Sequence, residues 1–584
     1  MLWQYAFGLV VGVRRVRSIF SSFRYPRLVV LKCIRFKTRD VFIVKEVTVT
    51  RRPLRYGAPS VEKVLGALPV IAEFCRRLDI AGIVDRACPV RDIAYVTHGQ
   101  VIEVLVANRL TSPTPLVHVE DWARAWAVEE VFGLAPEVLN DDRIGRALDA
   151  VAPKLGGIVG SIGARAIAEF GIDVARIHWD MTSISLYGAY TSPDSAYIKP
   201  RFGHPKDRRP DLLQIQAGLA VTADGGIPIW HRAYDGGAGE IAQVVPAMQA
   251  LSKLAGERRF LMVGDSKLVS YANLRAIIEA EVCFIAPASK TYVSAEVLAC
   301  CDFDAAVRVD YVAERDADKS PEHRGSYRVS EDTMIMYAKK KSEPDLCLRR
   351  VFVWSSARAG AAAKARANKL ERARGDLERL GRGLGGRYYQ NEKQIIERIA
   401  VITRVRRVKD TLRTTVATNP TTTKPTLEWH FDEAALTAET ATDGWYALLT
   451  NLSPEITTAD VFRHYKGQEA SERRYHNFKG PIAIAPMFLK NNRRIEALIS
   501  VICLALLIFS LTERAVRLAL NPEIKLAGLW AGQPAKPTGQ LIFTALAHLR
   551  LTPATNTNPP EIPRPPPLQT RLLELLGVDP RRPR

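Results

Sequence analysis

Among the 62 Asp and Glu residues, three stand out by position. Asp180 ends the segment Ile177-His178-Trp179, and Asp265 closes the apolar run Phe260–Val263, ahead of Ser266-Lys267. Neighbouring parallel strands run about 5 Å apart, so carboxylates at their ends can share divalent cations. Mg²⁺ prefers oxygen ligands and is usually held by one or two carboxylates plus phosphate. Taken singly, an Asp after a strand is more often a turn former. The third acid, Glu472, alters that balance. In the segment HYKGQEASERRYHNFK, residues Tyr465, Gln468, Glu472 and Lys479 fall at offsets 0, 3, 7 and 14. On one continuous helix these lie within about 60° of a single face. A phenol, an amide, a carboxylate and an ammonium on one face suit a metal with neighbouring phosphates, and Arg473 and Arg474 add positive charge beside it. A salt-bridged surface helix would also alternate charges, but it gives no reason for a Tyr and an acid at this spacing just before the most apolar stretch of the chain.

The elements that must position these acids follow from the hydrophobic pattern. Residues 60–170 have helical spacing, with Asn140 capping the run through Ile144, Ala147 and Val151. From residue 174 the character changes. VARIHWDMTSISLYG and LLQIQAGLAVT read as strands, and Asp224-Gly225-Gly226 as a hairpin turn into a third strand, IPIWHRAY. A helix over 240–255, the buried strand RFLMVGD, a helix over 271–280 and the strand VCFIAP follow. The order is β-β-β-α-β-α-β, a meander that turns into crossover connections. Residues 290–440 interrupt it with short strand-like pieces and a basic helix from Ser356 to Leu380. That helix is either a solvated face or a track for phosphates. DGWYALLTN resumes the core strands, followed by one helix over 459–479 and a wholly apolar helix over 497–512. Residues 1–50 carry no clean period and are expected to be a basic, disordered segment, and the tail from Thr552 is Pro-rich and basic.

Composition limits the partners. The 584 residues hold 82 Lys and Arg against 62 Asp and Glu, a net charge of +20, as expected of a chain that lies along a polyanion such as double-stranded DNA. The eight cysteines are scattered, with no CxxC pair and no zinc-finger spacing, a reduced cytoplasmic inventory. The apolar stretch 497–512 is shorter than the roughly 20 residues a membrane span needs, so a buried core helix is expected and no membrane partner.

With these residues in place, the chain resembles the DDE transposases of bacterial insertion sequences, the IS4 superfamily, and within it the IS1634-like group. Their signature Tyr-x2-Arg-x3-Glu-x6-Lys is matched by Tyr465, Gln468, Glu472 and Lys479. His178-Trp179-Asp180-Met181-Thr182-Ser183 resembles the first-aspartate strand, and Val263-Gly264-Asp265-Ser266-Lys267 the second. The segment from Gly203 to Asp211, with Lys206, Arg208 and Arg209, is similar to the group's Gly-x-Ser-Lys-Asp-x-Arg-Pro-Asp loop. Asp224-Gly225-Gly226-Ile227-Pro228 resembles its hairpin. The resemblance covers roughly residues 60–515. Two departures are visible: Gln468 stands where the group has Arg, and Gly236-Gly237-Ala238-Gly239-Glu240 stands where many relatives have Gly-Asn-x-x-Asp.

The resemblance implies an α/β, RNase H-like core with a mixed sheet, an N-terminal helical domain and a β-containing insertion. In boundaries, 51–172 is then a helical DNA-binding domain, 173–289 and 441–515 are the two parts of the core, 290–440 is the insertion, and 516–584 is a C-terminal region. It also implies a catalytic and metal-binding triad of Asp180, Asp265 and Glu472 holding two Mg²⁺ ions, or Mn²⁺. DNA contacts would come from Tyr465, Gln468, Arg473, Lys479, Lys206, Arg208 and Arg209, and a homodimer would pair two element ends. The implied activity is cleavage at terminal inverted repeats followed by strand transfer. Two other readings remain open: a nuclease of the same fold without strand transfer, and an element-derived DNA-binding protein without catalysis. His178 reads as a packed strand residue rather than a ligand, and Trp354 as core rather than a stacking platform.

Overall fold

The computed structural model describes residues 29–36, 39–46 and 62–582, apart from 189, 191–193, 204–207, 421, 468, 481, 483–488 and 556–557. It divides into two compact units, residues 1–61 and 62–584. The first contains an antiparallel hairpin, Val29–Phe36 with Arg39–Glu46, inside the stretch where no regular element was expected. The rest of that segment lies outside the described residues.

The second unit is a mixed α/β body built on one nine-stranded sheet. Its strands, in chain order, are β1 (Arg176–Leu186), β2 (Leu213–Thr222), β3 (Pro228–Tyr234), β4 (Leu261–Val263), β5 (Cys283–Pro287), β6 (Val307–Val309), β7 (Tyr327–Met336), β8 (Leu346–Ser355) and β9 (Trp445–Thr450). Across the sheet they run β3-β2-β1-β4-β5-β9-β8-β7-β6. β1, β2 and β3 form an antiparallel meander. β4 and β5 then add parallel to β1, through the crossover helices α1 (Glu240–Ala255) and α2 (Tyr271–Glu279). The β-β-β-α-β-α-β order read from the hydrophobic pattern is the order observed.

The β2–β3 turn needs its glycines. Gly225 and Gly226 both have positive φ, 74° and 63°, the pair of left-handed residues that a tight hairpin of this hand requires.

Residues 290–440 do not stand apart from the sheet. β6, β7 and β8 lie on it beside β9, which is antiparallel to both β5 and β8. The second half of the stretch builds a core of its own. There α3 (Ser356–Arg382) and α4 (Glu392–Arg406) pack through Leu377, Leu380, Ile395 and Ile399 against the hairpin Leu412–Thr418/Pro425–Phe431.

The expected single helix over 459–479 is two helices, α5 (Thr458–Lys466) and α6 (Glu469–Lys479). The break falls at Gly467, where the backbone passes over β1. A Cβ at this position would come within 3.1 Å of His178 Nε2, so only a residue without a side chain fits without displacement. Glycine also favours an interruption, because it is a poor helix former.

The apolar stretch lies within α7 (Asn492–Leu520). Among the described residues it is one helix long and apolar enough to cross a membrane, and 94% of its most apolar window is buried against the protein. α7 belongs to the main hydrophobic cluster, with the helices of residues 68–170 and the inner face of β1–β3. It is a core helix, as expected, but its burial shows this and not its length, since the helix extends to 29 residues.

Candidate functional site

Alternation along β1 divides its side chains. Ile177, Trp179 and Met181 enter the main core, so His178 and Asp180 face the other side of the sheet. In β4, Val263 faces that same side, packed with Ile285, Val461 and Phe462. β1 and β4 are parallel, with His178 opposite Val263. Asp180 and Asp265 each lie two residues further on, so they stand level, Asp180 within β1 and Asp265 just past the end of β4. Both are half-buried, whereas Glu472 on α6 is exposed.

Each aspartate is held by its own backbone. Asp180 Oδ1 accepts from Met181 N–H at 2.7 Å. Asp265 Oδ1 accepts from Lys267 N–H at 2.8 Å and caps the short turn Ser266–Leu268.

α6 carries Glu472 and is pinned beside Asp180 by the two residues that follow Arg473. Tyr475 is 9% exposed. Its hydroxyl donates to the Asp180 carbonyl and accepts from Leu219 N–H at 3.1 Å, bridging the register pair Asp180–Leu219. Burial, with the Asp180 carboxylate, pushes this phenol far up, so it remains a neutral donor. Glu472 lies three residues earlier, on the same helix face.

Arg474 is 2% exposed. It donates to the Gly226 carbonyl at 2.8 Å and the Gly225 carbonyl at 2.6 Å, and pairs with Glu513 of α7 at 3.1 Å. Glu513 also accepts from Arg517 at 2.9 Å and Gly539 N–H at 3.0 Å. This buried charge network is fully partnered. Arg474, expected as a positive charge beside the site, is an internal anchor instead.

Tyr465 closes α5. Burial pushes its phenol up, Arg358 opposes this, and Glu472 and Asp265 add to it. Two of the three acids, which come from different elements, thus act on one side chain. Its ring lies 6.3 Å from that of Tyr446, over which the Arg358 guanidinium sits at 4.8 Å.

His178 is buried at 1% exposure, and neither ring nitrogen has a hydrogen-bond partner among the described residues. Burial holds it down to about 4, so it is neutral. It is a packed strand residue, as expected. Trp354 donates to the Asp443 carbonyl at 3.1 Å and packs edge-on against Phe303 at 4.8 Å, which also fits the core reading.

The remaining expected DNA contacts are dispersed. Lys479 is exposed at the end of α6, and Arg208 is exposed in the loop before β2. Arg209 is forked onto Asp211 at 2.7 Å. Arg473 is paired with Glu314 at 2.6 Å. Lys206 and Gln468 lie outside the described residues.

The donor chemistry of the three acids fits Mg²⁺, a hard cation that takes carboxylate oxygens. Among the described residues, however, no group of three or more His, Cys, Asp and Glu side chains is drawn together closely enough to hold an ion. The aspartates are level and Glu472 sits on a helix tied to one of them, but the three do not form a closed cage.

Sequence reasoning missed Tyr475 and misread Arg474. The signal for Tyr475 was available, since it falls one turn after Glu472. Nothing in the sequence separates the buried Arg474 from the half-buried Arg473.

A comparison with curated proteins gives no match. The chain is similar to one in a cryo-EM structure of a piggyBac transposase synaptic complex with hairpin DNA, at 8% identity and a TM-score of 0.36, over 82% of this chain and 79% of that one. Residues 60–155, which hold most of the N-terminal helices, match the model of a family described as a domain of unknown function, DUF4277.

Proposed function

We propose that the protein is a DNA transposase of the insertion-sequence type, of the IS4 superfamily and its IS1634-like group, with an RNase H-like core. One observation carries the reading. Asp180, within β1, and Asp265, just past the end of the adjacent parallel β4, each follow the register pair His178–Val263 by two residues, and the helix bearing Glu472 is fastened to the backbone of Asp180 itself. The strand order 3-2-1-4-5 through β1–β5, with β4 and β5 parallel to β1, supports the fold assignment.

In this reading the three carboxylates hold Mg²⁺ or Mn²⁺. A pair of such ions supplies Lewis-acid stabilisation of the attacking and departing oxygens in phosphoryl transfer. The chain itself holds the two aspartates at fixed spacing, keeps Tyr475 protonated beneath them, and presents α6 so that Glu472 meets the scissile region. The substrate is double-stranded DNA bearing terminal inverted repeats, cleaved and then joined to a target, by a homodimer that pairs two ends. The net charge of +20 supports a polyanionic partner.

The test uses labelled, end-containing DNA with Mg²⁺. Asp180→Ala, Asp265→Ala and Glu472→Ala each remove cleavage and leave end binding in place. A variant that still cleaves excludes its residue from the triad. Cleavage without any joined product reduces the reading to a nuclease of this fold.

A further inference from the structure

Cations gather where α6 meets the C-terminal end of α7 and the small hairpin Leu526–Trp530/Gln533–Ala535. Four come together here: Arg473 and Arg474 from α6, Arg517 from α7, and Lys536 just after the hairpin. Among the described residues, two acids face them. Glu513 is 2% exposed and committed to Arg474, Arg517 and Gly539 N–H. The other is Glu314, carried on the connection between β6 and β7. Its Oε2 accepts from Arg473 at 2.6 Å and its Oε1 from Lys536 at 2.5 Å. Arg517, which also donates to the Pro537 carbonyl at 2.8 Å, is crowded by the like charges of Arg473 and Arg474. The outer members of the cluster are within reach of solvent, with side-chain exposures of 35% for Arg473, 43% for Lys536 and 42% for Glu314.

We propose that Arg473 and Lys536 form a binding subsite for a DNA backbone phosphate, and that Glu314 fills this subsite in the DNA-free protein as a displaceable carboxylate. The inference rests on the reading of the protein as one that acts on DNA. A phosphodiester carries one negative charge and two exposed oxygens, the same pattern that Glu314 presents to the guanidinium and the ammonium. The exchange leaves the charge balance around the two cations unchanged, one anionic charge replacing another. It is favoured on a duplex because binding there releases condensed counterions, whereas Glu314 has none to release. The location fits, because Arg473 directly follows Glu472, so a strand gripped here continues towards the acids. Glu314 is also well placed to leave. The connection that carries it is tied at its flanks by Arg463 to the Asp310 carbonyl at 3.3 Å and by Lys525 to Asp318 at 3.7 Å, so the carboxylate can swing out without detaching the segment.

The experiment measures affinity of the full-length protein for a labelled random-sequence duplex across a salt series, in EDTA, so that no cleavage enters. Glu314→Gln is expected to bind several-fold more tightly than wild type, whereas the slope of log affinity against log salt, about 0.9 per phosphate contact, stays near the wild-type value because the contact is made in both proteins. Lys536→Gln is expected to weaken binding and make the slope shallower by a similar amount, both alone and combined with Glu314→Gln. A Glu314→Gln protein that melts cooperatively but has unchanged affinity overturns the proposal. If that variant fails to fold, unchanged affinity and slope in Lys536→Gln overturn it equally. The catalytic reading fails separately. Tighter binding by Glu314→Gln together with Mg²⁺-dependent cleavage that survives loss of the acids would sink the triad and leave the phosphate subsite standing.

Discussion

The hydroxyl of Tyr475 is bonded to the carbonyl of Asp180, so the helix carrying Glu472 and the strand carrying the first aspartate cannot shift independently. Tyr475→Phe keeps the ring and its packing but leaves the Asp180 carbonyl and Leu219 N–H unbridged. The expected cost is about 1–3 kcal/mol of stability, read from urea unfolding. DNA cleavage is expected to fall more than DNA binding, because the variant loosens the spacing of the acids and removes no cation. Equal losses in both would show that Tyr475 serves stability alone.

Arg474→Ala leaves Glu513 buried with Arg517 and a backbone N–H but without its main partner. Breaking a buried pair from one side costs about 3–5 kcal/mol, so the variant is expected to lose much of the stability of the whole unit. Arg474→Met combined with Glu513→Leu removes both charges and is expected to recover most of that loss in thermal melts. No recovery would mean that the hydrogen bonds to Gly225 and Gly226, rather than the ion pair, are what matters.

Gly467→Val pushes a branched side chain onto His178, where even a bare Cβ would approach to 3.1 Å. Overpacking of this kind costs about 1–3 kcal/mol. The strain falls between α5 and β1, so cleavage is expected to drop in a protein that still unfolds cooperatively. Full activity in that variant would show that the helix break can move without consequence.

His231 is buried, bonded to Ser500 Oγ at 2.8 Å, and held down to about 3 by burial. A histidine whose folded value lies below its unfolded value near 6.5 takes up its proton on unfolding. Stability is therefore complete above about pH 6.5 and declines as pH falls towards 3, at up to about 1.4 kcal/mol per pH unit from this one group. His231→Gln keeps a partner for Ser500 and cannot titrate. Unfolding midpoints followed across that interval should fall less steeply in the variant, and an identical slope would remove His231 as a cause.

Much of the sheet was legible because its strands announce themselves locally. Ile177 to Leu186 and Leu213 to Thr222 are dense in apolar and β-branched residues, and Asp224-Gly225-Gly226 marks the turn. Phe260 to Val263 is a short run buried on both faces. The pairing of β1 with β4 brings Asp180 and Asp265 to the same side, although Asp180 falls inside its strand rather than at the end the sequence suggested. What stayed hidden depends on distant partners. The period linking Tyr465 to Lys479 continues smoothly through Gly467, and only the approach of His178 from residues far earlier explains why the helix stops there. Arg473 and Arg474 are adjacent and chemically identical, yet one meets Glu314 at the surface and the other Glu513 inside. The strands between Val307 and Ser355 were visible only as short pieces, because what makes them part of the large sheet is β9, which comes some ninety residues after them.

The seating of β9 between β5 and β8 has a consequence for biosynthesis. Until Trp445–Thr450 leaves the ribosome, β5 and β8 both present unpaired backbone edges, and such edges invite association with other chains. Closing the sheet then joins segments more than 150 residues apart, a late and slow event for a nascent polypeptide. Fragments ending before this strand are therefore expected to be captured by chaperones or to precipitate, whereas the finished chain stays dispersed.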